Sequence, residues 1–352
     1  MHITSNDSGR TTMPPEWAVQ DAVLLSWPHQ ATDWAYMLDE VKQCFIEIAK
    51  AITADERLLV VSPDTAAVEK ELAEAGVDLG RVTVFGIPTN DTWARDFGPI
   101  TVTRNGSPVL LDFKFNAWGL KFAADKDNLI NSRLELSEAF ACALENHNGF
   151  VLEGGSVESD GQGVVMTTSS CLMSKNRNGD LDKQGIEQQL RTLLGAEKVL
   201  WLDHGNLVGD DTDGHIDTIA RFAPDDIILY AGCDDATDEQ YADLKSMEAQ
   251  LRTFTNVHGK PYNLIELPTP RPIYDNDGLR LPATYANFLI TNNSVLVPIY
   301  GQKATDDLAL KIIKVAFPQK RIVGIDCNAL IKQHGSLHCV TMQLPQGTVN
   351  TL

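Results

Sequence analysis

Apolar residues recur at helical spacing in five stretches of the chain, and a short apolar run follows each of them. The spacing predicts amphipathic helices, and DEQYADLKSMEAQLRTF is the clearest because its periodic residues follow an acidic start. The predicted helices cover residues 36–52, 126–146, 181–195, 237–256 and 304–317. The runs that follow them are typical of strands and read RLLVVSP, FVLEGG, KVLWLDH, YNLIELP and RIVGIDC.

A pair of strand-like runs joined by a polar turn comes after most of these short strands. The turns contain Asn-Gly, Asp-Gly, Asp-Asp or Asn-Asn, which are typical of β-hairpins. The four hairpins read ITVTRNGSPVLLDF, SVESDGQGVVMTTSS, DTIARFAPDDIILYAG and NFLITNNSVLVPIYG. The order helix, strand, hairpin therefore recurs about five times, which indicates a propeller or an array. We predict an α/β fold and a single domain over residues 13–347.

The chemically distinctive side chains fall at one place in this unit, where the hairpin begins. They are Asp96 in NDTWARD, Glu153 in LEGG, His215 and Asp217 in DGHID, and Cys339 in LHC. Asp96 and Glu153 are 57 positions apart, Glu153 and His215 are 62 apart, and Cys339 follows His215 after two further steps of 62. The unit in between has the neutral Asn287 at the matching place. If the units surround an axis, these side chains meet in one central site.

The composition bounds the size of the core and the kind of partner. Hydrophobic residues make up 43% of 352 positions, and this length exceeds the roughly 250–300 residues of one ordinary core. It leaves two domains or repeats that share a core. The net charge of −19 disfavours nucleic acid, whose binding depends on basic patches. It suits a small cationic partner, and it is equally explained by solubility.

The same inventory predicts where the protein resides. No run of about 18 apolar residues is present, so no membrane span is expected, and the polar N-terminus lacks the apolar core of a signal peptide. The six cysteines are scattered without a CxxC pair, which favours reduced thiols. We therefore expect a cytoplasmic protein in which residues 1–12 form a flexible extension.

Cys339 could act as a nucleophile, because a basic partner or a cationic substrate favours its thiolate form. We predict a strand over Leu337–Gln343, in which the adjacent His338 faces away from Cys339 and is structural. His215 is the better proton-transfer group, since histidine titrates near neutral pH. Glu153 precedes two glycines that permit close approach of a backbone or a ligand, and its carboxylate could orient His215.

Two carboxylates could hold a planar cation. Asp96 and Asp217 can accept paired hydrogen bonds from a guanidinium group, and the ring of Trp93 can stack on it. In GHID, predicted as a strand, Asp217 faces the same side as His215. The alternative is that Arg95 and Asp96 pair with charges elsewhere on the surface. The spacing lacks the tight ligand set of a catalytic zinc, and no GxGxxG or GxxxxGK[ST] motif indicates a nucleotide.

Eight ordered motifs resemble those of bacterial and plant agmatine deiminases, in the peptidyl-arginine-deiminase-like group of the guanidino-group-modifying superfamily. They extend from about Met13 to Pro345 and read MPPEW, LLSWPH, NDTWARDFGP, FNAWG, LEGGS, CLMSKNRN, DGHIDTIARF and HCVTMQ. The resemblance implies the pentein fold, a five-bladed, pseudo-fivefold α/β propeller. The family usually has a run of glycines and a double glutamine around its cysteine. Here HGSL precedes His338 and Met342-Gln343 follows Thr341, a departure that concerns the mouth of the pocket.

The resemblance also implies roles for the candidate residues. Cys339 resembles the nucleophile that attacks the guanidinium carbon and forms a covalent S-alkylthiouronium. His215 resembles the acid that releases ammonia and then the base that activates water, with Glu153 supporting it. Asp96 and Asp217 resemble the carboxylates that grip the guanidinium nitrogens. No cofactor or metal is implied, and homodimers are common in the family.

The implied reaction converts agmatine to N-carbamoylputrescine and ammonia. Asp211 is the candidate for the distal ammonium group by resemblance, and Asp210 and Asp213 in the same GDDTDGH segment stay open. The first alternative is a deiminase of another guanidine, such as peptidyl-arginine. The second is a cysteine amidohydrolase using Cys339 and His215, which two aspartates disfavour because they would repel an oxyanion. The third is an inactive binding protein, which nothing in the sequence supports.

Overall fold

The computed structural model describes residues 10–350, and the strands in this part of the chain form five small sheets. The strands are β1 (Thr11–Thr12), β2 (Gln20–Ser26), β3 (Arg57–Ser62), β4 (Val82–Gly86), β5 (Ile100–Arg104), β6 (Ser107–Lys114), β7 (Leu144–Val151), β8 (Val157–Ser159), β9 (Val164–Thr168), β10 (Lys198–Leu202), β11 (Ala220–Ala223), β12 (Ile227–Ala231), β13 (Asn263–Leu267), β14 (Leu289–Ile290), β15 (Ser294–Ile299), β16 (Arg321–Asp326) and β17 (Thr341–Pro345).

The α-helices lie between these strands. They are α1 (Leu38–Thr53), α2 (Thr65–Glu74), α3 (Ala94–Phe97), α4 (Ala117–Leu120), α5 (Ile130–Leu136), α6 (Ser169–Leu172), α7 (Lys175–Asn178), α8 (Lys183–Leu194), α9 (Tyr241–Leu251) and α10 (Lys303–Ala316). Short 3₁₀ helices cover Ala35–Met37, Leu79–Arg81, Asp127–Leu129, Gly154–Ser156, Ile216–Thr218 and Leu330–Gln333. Within residues 10–350, each helix is too short or too polar to cross a lipid bilayer.

Every sheet combines an antiparallel pair of strands with a parallel third strand. The triplets β5-β6-β7, β8-β9-β10, β11-β12-β13 and β14-β15-β16 share this order. In the fifth sheet β17 pairs antiparallel with β2, β2 pairs parallel with β3, and β3 pairs parallel with β4. The C-terminal strand therefore joins the N-terminal part of the chain in one sheet.

The predicted repeat is confirmed in its parts, but its sheet boundaries differ from the predicted unit. Four of the sheets take the hairpin first and the parallel strand last, with a helix between them in sequence, and in the fifth the pair β17 and β2 stands in place of the hairpin. Parallel neighbours require such a crossover, whereas antiparallel neighbours need only a tight turn. The hairpin turn between β5 and β6 has positive φ at Asn105 (53°) and Gly106 (79°), as a two-residue hairpin turn requires.

Four of the five predicted helices are confirmed, as α1, α8, α9 and α10. In α1 the buried residues Val41, Phe45, Ile48 and Ile52 follow helical spacing, which places one apolar stripe in the core. The prediction of one helix over 126–146 is wrong, because α5 ends at Leu136 and residues 144–151 form β7. Pairing with β6 overrides local helix propensity there. The helix α2 was not predicted.

Regular secondary structure in the described part of the chain begins at Thr11, two residues before Met13. Thr11 and Thr12 form β1 and pair with Arg104 and Thr103 of β5, and Met13 N donates to the Leu194 carbonyl (3.1 Å). The predicted flexible extension covers residues 1–12. Of these, residues 1–9 lie outside the described residues, and Thr11 and Thr12 belong to the first sheet.

The packing of β1 against the end of α8 requires a glycine at position 195, which predicts the effect of a substitution on stability. Gly195 ends α8 with φ of 72°, and an added Cβ would lie 1.9 Å from the Thr11 carbonyl oxygen. We expect Gly195→Ala to lower the free energy of unfolding by about 1–2 kcal/mol for the left-handed backbone and by about 1–3 kcal/mol more for the steric conflict. Urea unfolding measures the loss.

The matched control is Gly76→Ala, whose φ is 77° but whose added Cβ meets nothing within 4 Å. This variant should show the backbone cost alone. Equal losses for the two variants would contradict the packing of β1 against the end of α8.

Candidate active site

The predicted site residues all lie just before the first strand of an antiparallel pair. Asp96 is in α3 before β5, Glu153 precedes β8, His215 and Asp217 lie at the 3₁₀ helix before β11, and Cys339 precedes β17. All five are buried, with exposed fractions of 0–4%. Asn287, the neutral residue at the matching step, precedes β14 and is also buried. The predicted convergence of these residues is confirmed by the contacts below.

Two local strand predictions in the site are wrong. His215 begins a 3₁₀ helix, Ile216–Thr218, and residues 337–340 form a turn before β17. In each case a threonine hydroxyl donates to the carbonyl three residues before it. Thr218 bonds His215 O (2.8 Å) and Thr341 bonds His338 O (3.0 Å). Such side-chain bonds close turns in competition with strand pairing. The prediction that His338 faces away is therefore wrong, and its ring lies against Asp217.

Gly155 is the point where three of the functional groups meet. A Cβ added there would lie 2.6 Å from His215 Nδ1, 2.8 Å from Asp96 Oδ1 and 3.1 Å from Asp217 Oδ2. Only a residue without a side chain leaves room for this approach. The close approach expected from the two glycines after Glu153 is therefore found in the structure.

Asp96 is held by neutral donors beside His215. Its Oδ1 accepts from Gly155 N (3.1 Å) and lies 3.5 Å from His215 Nδ1, and its Oδ2 accepts from Trp118 Nε1 (2.9 Å). Burial raises the pKa of Asp96 to about 6; His215 and the indole bond oppose the rise, and Asp217 adds to it. The alternative of a surface ion pair is wrong, since Asp96 and Arg95 are both buried.

His215 lies among acidic groups. Burial alone lowers the pKa of His215, but Asp96, Cys171 and Glu153 together raise it well above its usual value. Its ring nitrogens have no hydrogen-bond partner of good geometry within the described chain. Glu153 is fixed in turn by Arg177, whose Nε lies 2.8 and 3.0 Å from the two carboxylate oxygens. Both Cys171 and Arg177 lie in the motif CLMSKNRN, and neither was predicted as a site residue.

Cys339 is buried beside a carboxylate and an amide. Its Sγ lies 3.4 Å from Asn287 Oδ1 and 3.9 Å from Asp217 Oδ2. Burial, together with the charges of Asp217 and Asp96, raises the pKa of Cys339 well above its usual value. The thiolate therefore needs a nearby positive charge to form.

Asp217 has one occupied and one free oxygen. His338 Nδ1 lies 2.7 Å from Oδ2, within hydrogen-bond distance, whereas Oδ1 is buried without a hydrogen-bond partner among residues 10–350. Burial raises the pKa of Asp217, but His338, His215 and Arg221 outweigh it and hold the pKa below its usual value. An unpaired buried carboxylate oxygen is costly and suits a ligand that brings an N–H donor.

A pocket with acidic and aromatic side chains in its walls leads to Cys339. Its lining includes four carboxylates and three aromatic rings but no lysine or arginine. The lining residues are Asp33, Asp91, Trp93, Asp96, Trp118, Phe122, Asp211, Thr212, Gln333, His334, Gly335 and Cys339. Gly335 permits the approach of Trp93, because an added Cβ would lie 2.1 Å from that ring. The pocket therefore suits a slender cation with an apolar middle.

The three aspartates left open by the sequence have different surroundings. Asp210 is engaged in its own turn and accepts from Thr212 and Gly214. Asp213 pairs with Lys121 (2.7 Å) and Arg177 (2.6 Å). Asp211 alone of the three lines the pocket.

Two groups of side chains in the described region bring metal-ligating atoms close together. They are Glu153, Cys171 and His215, and Glu16, Glu158 and His338. In each group an arginine already supplies the positive charge. Arg177 bonds Glu153 in the first, and Arg221 bonds both Glu16 and Glu158 in the second. A metal ion would have to compete with a guanidinium group already in place.

Relatives of known sequence and structure share this architecture. The profile of the family described as Porphyromonas-type peptidyl-arginine deiminase matches residues 12–345. A Shewanella baltica protein provisionally named agmatine deiminase is 36% identical, over 95% of this chain and 94% of its own. A cysteine-to-serine variant of C. jejuni agmatine deiminase, solved with substrate bound, is 38% identical with a TM-score of 0.89, covering 98% and 99% of the two chains.

Another solved structure, the agmatine deiminase of Enterococcus faecalis, is 32% identical with a TM-score of 0.86, covering 95% of this chain and 96% of that one. At these levels of identity and coverage the relationship includes both the sequence and the α/β pentein fold. The chain belongs to the Porphyromonas-type peptidyl-arginine deiminase family, a family of enzymes.

Proposed function

We propose that this enzyme hydrolyses agmatine to N-carbamoylputrescine and ammonia through a covalent intermediate on Cys339. The observation that carries the proposal is a buried thiol beside two carboxylates, with the free oxygen Asp217 Oδ1 and the pocket-lining Asp96. A planar guanidinium can bond both carboxylates while its carbon faces the sulfur. The C. jejuni and E. faecalis relatives, both named agmatine deiminases, support the same substrate.

In the first half-reaction the substrate itself supplies the charge that Cys339 lacks. The guanidinium balances Asp96 and Asp217, which favours transfer of the thiol proton to solvent water. The thiolate attacks the guanidinium carbon and forms a C–S bond. Protonated His215 then donates its proton to the departing nitrogen, the C–N bond breaks, and ammonia leaves an S-alkylthiouronium. The raised pKa of His215 suits this acid role.

In the second half-reaction His215 acts as the base. The now neutral ring removes a proton from water, whose oxygen attacks the thiouronium carbon. The C–S bond breaks as the hydroxyl proton of the tetrahedral intermediate passes to the sulfur, so that the thiol is restored and the product keeps a neutral ureido group. Glu153, fixed by Arg177, supports the charged form of His215 throughout.

The pocket favours agmatine over arginine. A free α-carboxylate would need a cationic partner, and no lysine or arginine lines the described pocket, whereas Asp33, Asp91 and Asp211 do. We assign the distal ammonium to Asp211, since Asp210 is bonded within its own turn and Asp213 is paired with Lys121 and Arg177. Two neighbouring carboxylates also disfavour an amide substrate, whose oxyanion they would repel.

We further propose that the five sheets are the blades of one pseudo-fivefold propeller that forms a single catalytic domain. The common strand order of the five sheets and the pairing of β17 with β2 support this arrangement. Placement of the functional groups before the first strand of an antiparallel pair supports it as well. A cytoplasmic location stays a prediction from the sequence inventory, and a homodimer stays a prediction from the resemblance.

The reaction is tested by colorimetric detection of ureido product from agmatine, free arginine and a blocked arginyl peptide. We expect turnover of agmatine and little of the others, because only agmatine presents a lone ammonium to the acidic pocket. Cys339→Ala should abolish turnover, and Cys142→Ala, at a half-buried thiol outside the site, should preserve it. Full activity in Cys339→Ala would refute the mechanism, and turnover of the peptide instead would refute the substrate.

The raised pKa of Asp96 predicts an acidic limb in kcat/KM. Below about pH 6 Asp96 is protonated and cannot grip the cation, so kcat/KM falls as the pH falls through that value. Trp118→Phe removes the indole N–H that stabilises the carboxylate, so the limb should move upward by about one pH unit. The pH dependence of kcat/KM measures both effects.

Asp91 is the control for this assignment, because burial and nearby acids raise its pKa to about 7. In Asp91→Asn the limb should stay where it is in the wild type. A limb that vanishes in Asp91→Asn, or that does not move in Trp118→Phe, would show that Asp96 is not the titrating group.

A further inference from the structure

His338 forms a buried link between Asp217 and a cluster of charges behind the site. Its ring is 1% exposed, with Nδ1 2.7 Å from Asp217 Oδ2. On the other side Nε2 lies 2.8 Å from Glu16 Oε1 and 3.1 Å from Arg221 Nη2. The proposed reaction steps use none of these contacts, and the sequence predicted that His338 faces away.

The partners of the ring determine which nitrogen carries a proton. Asp217, ionised at neutral pH, can only accept, so Nδ1 must be the donor across 2.7 Å. Arg221 can only donate, which suits Nε2 as an acceptor in the neutral ring, whereas in the imidazolium form Nε2 donates to Glu16. Nδ1–H therefore faces Asp217 in the imidazolium form and in the neutral tautomer whose Nε2 accepts from Arg221.

The surroundings hold the ring in this orientation. Glu16, from the loop before β2, bonds Arg95 Nη1 (3.1 Å), Arg221 and Gln343 (3.0 Å) as well as approaching the ring. The charged groups around His338 are Glu16, Asp217 in its 3₁₀ helix, Arg95 in α3 and Arg221 in β11, and Glu158 balances Arg221. With every neighbour bonded, the imidazole has little freedom to turn.

We propose that His338 is a positioning residue for the deimination: its Nδ1–H fixes Asp217 Oδ2, so that Oδ1 stays free for the guanidinium. This inference rests on the proposed function, because it gives Asp217 the guanidinium as its ligand. Without the donor, the Asp217 carboxylate could rotate or take up a proton, and either change would remove its grip on the substrate. His338 itself touches neither the substrate nor the reacting atoms.

A matched pair of variants isolates the Nδ1 donor. His338→Asn and His338→Leu have side chains of the same shape, and both lose the contacts of Nε2 with Glu16 and Arg221. Only asparagine can place an N–H near the former Nδ1. We expect His338→Leu to lower kcat/KM for agmatine about 10- to 100-fold, as for the loss of one hydrogen bond to a charged group. His338→Asn should keep at least about a third of the wild-type value.

Thermal unfolding accompanies the kinetics, with Glu158→Gln as a control for damage to the charge cluster. That variant replaces the carboxylate that pairs with Arg221 by a neutral amide, so it should lower the midpoint of unfolding. It should not lower kcat/KM in the way that His338→Leu does. Equal kcat/KM in the two folded His338 variants, with an active wild type, would overturn this proposal alone. A wild type that converts no guanidine would instead refute the proposed function.

A second measurement is independent of any variant. Neutron diffraction from crystals of the wild-type protein in heavy water shows directly which ring nitrogen carries a deuteron. We expect a deuteron on Nδ1 between His338 and Asp217 at neutral pH. A bare Nδ1 would overturn the proposal, even if the variants failed to fold.

Discussion

The site depends on the burial of three carboxylates next to one another. Like charges repel strongly where water is excluded. Each buried carboxylate also lowers the stability of the fold unless a hydrogen-bond donor or a cation faces it. Glu153 has the Arg177 guanidinium at 2.8 Å, Asp217 has His338 at 2.7 Å and Asp96 has His215 at 3.5 Å. Cys339 has no such partner, because its close neighbours are Asn287 and Asp217. The positive charge that the thiol needs must come with the substrate.

This arrangement ties specificity to chemistry. A neutral or anionic molecule in the pocket would leave Cys339 protonated, and one without an N–H donor would also leave Asp217 Oδ1 unpaired. A guanidinium satisfies the free oxygen and favours the thiolate at the same time, so the nucleophile forms beside the group that it attacks. The protein alone keeps the Cys339 thiol protonated and unreactive, and a bound guanidinium activates it.

The backbone makes such crowding possible at a few places. Gly155 lies where the side chains of three segments meet, and Gly335 lies against Trp93. The backbone N of Arg95 donates to the Cys339 carbonyl (3.1 Å), which joins the segments of Asp96 and Cys339 directly. Because each functional group precedes the first strand of an antiparallel pair, the same local position in successive sheets serves a different chemical purpose.

The periodicity of the sequence predicted the strands, the hairpins and the common place of the functional groups, because these follow from local spacing. Residues 126–146 were misassigned because their conformation is decided by pairing of β7 with β6. His338 was misjudged because the Thr341 hydroxyl bonds the His338 carbonyl and closes a turn, which alternation of polar and apolar residues does not encode. Arg177 gave no signal of its own, since its partner Glu153 is 24 positions away. The repeat placed Asn287 at the position that matches the functional residues, but its hydrogen bond with Cys339 could be seen only in the structure.

The most direct test of the central claim is the crystal structure of Cys339→Ala with agmatine bound. The account predicts that guanidinium nitrogens lie within hydrogen-bond distance of both Asp96 and Asp217 Oδ1, with the ammonium end toward Asp211. A guanidinium bound outside this pair of carboxylates, or an agmatine molecule with its ammonium end between them, would contradict the claim that the substrate supplies the missing charge.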